Sequence, residues 1–160
     1  MGGTAALLAI GLAAGQALAV PAGQTWVNAY QMGTIVASIT ASDGAFFGVY
    51  CAADQPERAA YLTFETPALP RPADEVIEVR VIVGADSFAF AFEDGGYYFQ
   101  PMGEDETAGF AALVKTLRAS ADENFRVGVA DRGVSETFPL AGAATALSDG
   151  EGTIADACLR

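Results

Sequence analysis

Residues 34–52 read TIVASITASDGAFFGVYCA. The first run alternates, with Ile35, Ala37 and Ile39 on one side. The second run, 45–52, alternates too, with Phe47, Val49 and Cys51 sharing a face. Between them stands Asp43-Gly44. An Asp-Gly pair flanked by alternating runs spells a β-hairpin, because a two-residue type I′ turn needs positive φ at both central positions. This period of two sets the class of the fold. It also places Cys51 near the end of a strand, beside Phe47 and Val49.

The same period extends outward. Upstream, residues 24–31 put Trp26, Asn28 and Tyr30 on one side and Val27 and Ala29 on the other, before Met32-Gly33 breaks the run. Downstream, 54–58 is a polar turn and 59–64 (AAYLTF) a short strand. Pro67, Pro70 and Pro72 keep 66–74 out of any ladder. Residues 75–83 (EVIEVRVIV) carry an apolar face of Ile77, Val79, Val81 and Val83. A turn at 84–86 leads to FAFAF at 88–92. A second turn at 93–96 leads to YYFQP at 97–101, which is expected to return alongside FAFAF.

Then the period changes. Phe110, Leu113, Val114 and Leu117 are spaced i, i+3, i+4, i+7, which predicts a helix over 106–119. Asp105 or Thr107 is expected to cap it, with Glu106 in the first turn and Lys115 and Arg118 in the last turns. Residues 125–130 and 134–140 form a further hairpin about 131–133. A short helical turn follows at 141–147, a loop at 148–152, and a tail that runs to Cys158. Strands about every ten residues with one late helix predict a mainly-β chain: an antiparallel β-sandwich or flattened barrel with one amphipathic α-helix. An α+β arrangement is the alternative.

Composition narrows the chemistry. The 160 residues hold 20 Asp+Glu against 8 Lys+Arg and no histidine, a net charge of −12. Without histidine there is no Ser-His-Asp or Cys-His nucleophile, no His-ligated zinc and no imidazole base. A chain this acidic is repelled by nucleic-acid phosphates and by anionic membrane surfaces. At 52% hydrophobic it is too apolar to be a disordered acidic tail. The acidity either solubilises the surface or suits a basic partner.

No charged side chain precedes Asp43. Residues 5–14 (AALLAIGLAA) have the length of a signal-peptide apolar core, and Ala17-Leu18-Ala19 has the small-x-small form of a cleavage site. The expected division is a signal peptide at 1–19 and a single β-rich domain at 20–160. The missing Lys or Arg near Met1 departs from the usual pattern. The alternative, a core helix, would have no polar face to turn to water. The stretch is too short and too rich in Gly and Ala to span a membrane, so no span remains after cleavage. Cys51 and Cys158 form no C-x-x-C pair, and in an oxidising compartment they are expected to join in a disulfide. Two free thiols are the alternative.

The densest aromatic cluster is Phe88, Phe90, Phe92, Tyr97, Tyr98 and Phe99. One face of such a strand must be buried, so the phenylalanine stripe is assigned to the core. Tyr97 or Tyr98 is left for exposure, because neighbours in a strand point oppositely. With Glu93 and Asp94 in the adjoining turn, these tyrosines are the candidate binding residues. Acidic residues also cluster at 74–75, 104–106 and at Asp149, Glu151 and Asp156. Asp149-x-Glu151-x-Thr153 begins like a calcium loop, but Ile154 stands where the sharp turn needs glycine and no bidentate Glu closes it. No metal and no cofactor are therefore expected. G-x-S-x-G, the P-loop and G-x-G-x-x-G are all lacking.

Two stretches, SITASDGAFFGVYC at 38–51 and TFPLAGAATAL at 137–147, are followed by a late cysteine. Together they resemble small exported proteobacterial proteins. The ending is similar to that of type VI secretion accessory proteins related to VasI. The resemblance implies an exported accessory role and transfers no catalytic residue. The expected function is a non-enzymatic, periplasmic or secreted binding or accessory domain, whose partner is another protein or an envelope component and for which a basic surface would suit. The alternatives are an acidic inhibitor of a basic enzyme such as a lysozyme, presenting Glu93-Asp94 or residues 104–106, and a small hydrolase using Asp and Glu.

Overall fold

The computed structural model describes residues 24–52, 60–69, 75–93, 97–148 and 153–159. The expected signal peptide, the 54–58 turn, Pro70, Pro72, Asp94, Asp149 and Glu151 lie outside them. The described strands are β1 (Val27–Gln31), β2 (Thr34–Thr40), β3 (Phe46–Ala52), β4 (Ala60–Glu65), β5 (Ile77–Val83), β6 (Asp86–Phe92), β7 (Tyr98–Phe99), β8 (Asn124–Val129) and β9 (Val134–Pro139). The helices are α1 (Glu104–Ala119), α2 (Ala143–Ala146) and α3 (Ile154–Cys158).

Two antiparallel sheets result, ordered β1-β2-β3-β4-β7 and β6-β5-β8-β9. They stack as a sandwich and do not close into a barrel. The alternating runs explain the packing: Ile35, Ala37 and Ile39, Phe47, Val49 and Cys51, and Leu62 and Phe64 are all buried on the inner side of the first sheet. From the second sheet, Ile77, Val79, Val81 and Val83 meet them. Aromatic contacts bridge the layers. Phe47 lies 5.4 Å from Phe125 and 6.1 Å from Phe138, and Phe92 lies 6.1 Å from Phe99, between ring centres. Trp26 adds a ring contact to each sheet, at Phe47 and Phe125, while its indole N–H donates to Pro139 O.

The β2–β3 hairpin forms, but its turn differs from the expected one. Asp43 keeps a negative φ and only Gly44 is left-handed, at +90°. Gly44 N–H donates to Ala41 O, Ala41 N–H donates to Ala45 O, and Asp43 Oδ1 accepts from Ala45 N–H. That is a three-residue loop closed by a left-handed glycine, stabilised by the aspartate carboxylate. The two-residue turn with both φ positive sits one connection earlier, at Met32 (+50°) and Gly33 (+81°), between the paired Gln31 and Thr34.

Two further expectations need correction. Residues 88–92 and 97–101 do not pair as a hairpin: β7 crosses to the first sheet and pairs with β4, leaving one bridge between Glu93 and Tyr98. Burial of Phe99 against Phe90 and Phe92 carries the chain across the sandwich. The helix starts at Glu104, earlier than expected, and neither Asp105 nor Thr107 caps it. Gly103 is the N-cap, and Glu106 reaches back to accept from the N–H of Met102, the residue before the cap, at 2.7 Å. Phe110, Leu113, Val114 and Leu117 are its buried stripe, as the spacing predicts. Beyond the expected helical turn, which is α2, the tail adds a third helix. Ile154 of α3 is fully buried, and α3 packs on β2 and β3.

The Cys51–Cys158 disulfide is formed, with Cα atoms 5.9 Å apart. It fixes α3 to the inner face of β3. Among the described residues no helix is long and apolar enough to cross a membrane.

Candidate functional site

A strand that sends Phe47, Val49 and Cys51 inward sends Phe46, Gly48 and Tyr50 outward. On β4 the outward set is Tyr61, Thr63 and Glu65, and on β7 it is Tyr98. The register places these side by side: Tyr50 faces Tyr61, Gly48 faces Thr63, and Thr63 faces Tyr98 on its other flank. The outer face of the first sheet is therefore aromatic where water would ordinarily be met by polar side chains.

The rings of Tyr50 and Tyr61 stack, with centres 4.5 Å apart and planes 10° from parallel. Tyr97 and Tyr98 meet edge to face at 6.4 Å. The Tyr98 hydroxyl donates to Glu93 Oε2 at 2.8 Å. Tyr97 is held through its carbonyl, which accepts from Phe64 N–H at 3.0 Å. Together with Thr63 and Gln100, the four tyrosines line a shallow cavity of about 300 Å³.

Two features show how closely this patch is built. Gly48 makes room for it: a Cβ there would lie 2.5 Å from Tyr50 Cε2 and 2.8 Å from Thr63 Oγ1. Thr63 forms the floor. It is 3% exposed, and its hydroxyl has no hydrogen-bond partner. A buried hydroxyl left unsatisfied costs about 1–3 kcal/mol, so such a group is uncommon where only stability matters.

The electrostatics are those of neutral phenols beside carboxylates. Burial holds the Tyr50 and Tyr61 hydroxyls above the usual phenol value of 10.0. For Tyr50 the nearby Thr63 hydroxyl works the other way without reaching hydrogen-bond geometry, and Tyr97 and the Glu65 carboxylate add to the upward shift. Both phenols are therefore uncharged at neutral pH. They offer π faces and hydroxyls, and no nucleophile or base. Among the described residues no basic side chain lines the cavity.

Of the candidate binding residues, the structure brings Tyr97, Tyr98 and Glu93 together, and Asp94 lies outside the described residues. Both tyrosines border the cavity and both are half-buried, where only one was expected on the open side. The reason is that β7 begins at Tyr98, so Tyr97 belongs to the preceding turn and does not obey strand alternation. The phenylalanine stripe behaves as assigned: Phe90 and Phe92 are buried and Phe88 is packed against the core. Tyr50, Tyr61, Thr63 and Gln100 were not singled out from sequence. Their signal was available, since the strands at 45–52 and 59–64 carry aromatics on both faces. What alternation could not supply was the register that joins them to residues some 40 positions later.

A second, larger cavity of about 730 Å³ lies beside the first turn of α1, bordered by Ala60, Met102, Phe110, Ala111 and Cys158. Gln100 lines both cavities, so the two depressions adjoin. Among the described residues no three Cys, Asp or Glu side chains come together in a way that could hold a metal ion.

No curated protein and no solved structure matches the chain. A family model described as YfjT matches residues 24–147. That span runs from the residues just before β1 to the end of α2, holds both sheets and every residue of the tyrosine cavity, and includes Cys51 but not Cys158. The chain belongs to the YfjT family.

Proposed function

We propose that this chain is a non-enzymatic binding or accessory domain, periplasmic or secreted, that engages a basic protein or envelope component through the tyrosine face of its first sheet. One observation carries the reading: four tyrosines surround a buried, unpartnered threonine hydroxyl on the outward side of a strand. Tyrosine supplies large contact area at low entropic cost, and a polar group awaiting a partner is what a binding surface retains and a core removes. The net charge of −12 suits a cationic partner. Export is supported by the disulfide and by the leader-like residues 1–19. The likeness of 38–51 and of the ending to small exported accessory proteins, including those related to VasI, points the same way.

The test is differential capture from an envelope extract. The immobilised protein is compared with its Tyr61→Ala and Tyr98→Ala variants, and captured proteins are identified by mass spectrometry. A partner held by the parent is expected to be lost from both variants, since truncating a central tyrosine costs about 2 kcal/mol or more of binding. Identical capture by all three folded proteins would remove the reading.

The inhibitor reading keeps one observation in its favour. The acidic residues 104–106 form the exposed first turn of α1, beside a Met102 that is 84% exposed. A salt-sensitive complex with a lysozyme, weakened by Glu104→Gln and Asp105→Asn but not by Tyr61→Ala, would favour it over the tyrosine face.

A further inference from the structure

We propose that the tyrosine cavity is a receptor for the guanidinium group of an arginine on a partner protein. The proposal deepens the binding reading above and rests on it. The stacked Tyr50 and Tyr61 rings both line the cavity, and cation–π attraction favours the planar head of an arginine against such rings. The Thr63 hydroxyl at the floor lacks a partner and is closed off as the side chains stand, so its oxygen accepts an N–H from a guanidinium only once the rings beside it move apart. The Gln100 side-chain carbonyl at the wall can accept another.

Charge fixes the sign of the guest. Glu93 is held at the rim by the Tyr98 hydroxyl, and Glu65 stands on the same outward face as Thr63 and Tyr61. The Glu93 carboxylate sits beside a cavity tyrosine and no basic side chain among the described residues lines the cavity, so a cation entering it leaves water for compensating charge. Guanidinium is more weakly hydrated than ammonium and donates in a fixed fork, so arginine is preferred over lysine. The volume of about 300 Å³ suits one side-chain head, not a folded domain. Gln100 leads on to the larger cavity by Met102 and Phe110, which gives the residues flanking that arginine an apolar place to lie.

The experiment is a nitrogen–proton NMR titration of the full chain with acetyl-Gly-Arg-Gly-amide. The lysine peptide and the citrulline peptide, which keeps the shape of arginine but not its charge, serve as controls. The arginine peptide is expected to shift the amides of Tyr50, Tyr61, Thr63 and Tyr98 saturably. The lysine peptide should bind about threefold more weakly and citrulline about tenfold or more, a difference of about 1.4 kcal/mol. Raising salt should weaken the arginine complex. Thr63→Val keeps the shape of the floor and removes the hydroxyl. It should weaken arginine binding about fivefold while raising the melting temperature, a combination that a purely structural threonine would not produce.

Citrulline binding as well as arginine would overturn the proposal, as would failure of any peptide to shift these amides. Saturable shifts with a chitooligosaccharide in place of the arginine peptide would also overturn it, while leaving the tyrosine face standing as a binding surface. Loss of captured partner in Tyr61→Ala together with a failed arginine titration would separate the two claims, sinking this one alone.

Discussion

Met32 is held at φ +50° and is 92% exposed. Outside glycine, left-handed backbone brings Cβ against the chain, and only Asn and Asp relieve much of the strain through local hydrogen bonds. Nothing around so exposed a side chain compensates. Replacing Met32→Asn should therefore stabilise the protein by about 0.5–1 kcal/mol, read as a higher urea midpoint at unchanged slope. The pairing of Gln31 with Thr34 leaves two residues for the turn, and that count dictates the conformation whatever residue stands there. Local preference pointed instead to Asp43-Gly44. There the carboxylate of Asp43 bonds to Ala45 N–H, which pulls its own ionisation below the ordinary carboxylate range and favours a three-residue loop. Turn chemistry is readable one residue at a time; the length of a connection is a property of two strands.

At the scale of elements, each strand is two half-sequences, one for each face. The half that builds the core was legible: Phe47, Val49 and Cys51, the Ile77–Val83 alternation and the α1 stripe are buried as their spacing predicts. The other half acquires meaning only when neighbours are known. Tyr50 and Tyr61 are unremarkable as single residues and become a stack because β3 and β4 pair in one register. Similarly, Tyr97 and Tyr98 were recognisable as surface aromatics, but the short β7 joins them to β4 and not to β6. This pairing of phenols has a consequence at high pH. Burial raises both ionisations in the folded state, so above the ordinary value of 10.0 the unfolded chain loses these protons first. The contribution of this pair to stability should be constant up to about that pH, then be lost as pH rises toward the folded-state values. The double variant Tyr50→Phe, Tyr61→Phe should flatten that alkaline fall, measured as melting temperature against pH with phenolate absorbance as the second probe.

For the whole molecule, the disulfide reaches across 107 residues and ties a helix to the centre of the first sheet. In the chain-entropy view, cross-linking so long a loop stabilises by about 4–5 kcal/mol. Cys158→Ser should therefore lower the urea midpoint substantially. Because Cys51 is buried and Ile154 of α3 is fully covered, the loss should also appear as faster hydrogen exchange in α3 and β3 before the second sheet is affected. The variant should keep its far-ultraviolet β signature, since the contacts between Phe47, Phe125 and Phe138 do not involve the sulfur atoms.

The distance between the two cysteines also governs the order of events during synthesis. Cys51 emerges with its strand, and its mate follows only after most of both layers has been made. Until then the Cys51 thiol has no mate within its own chain, because the sequence holds only two cysteines. Oxidation is thus a late latch, and a chain stalled before it closes would be the species most exposed to mispairing between molecules.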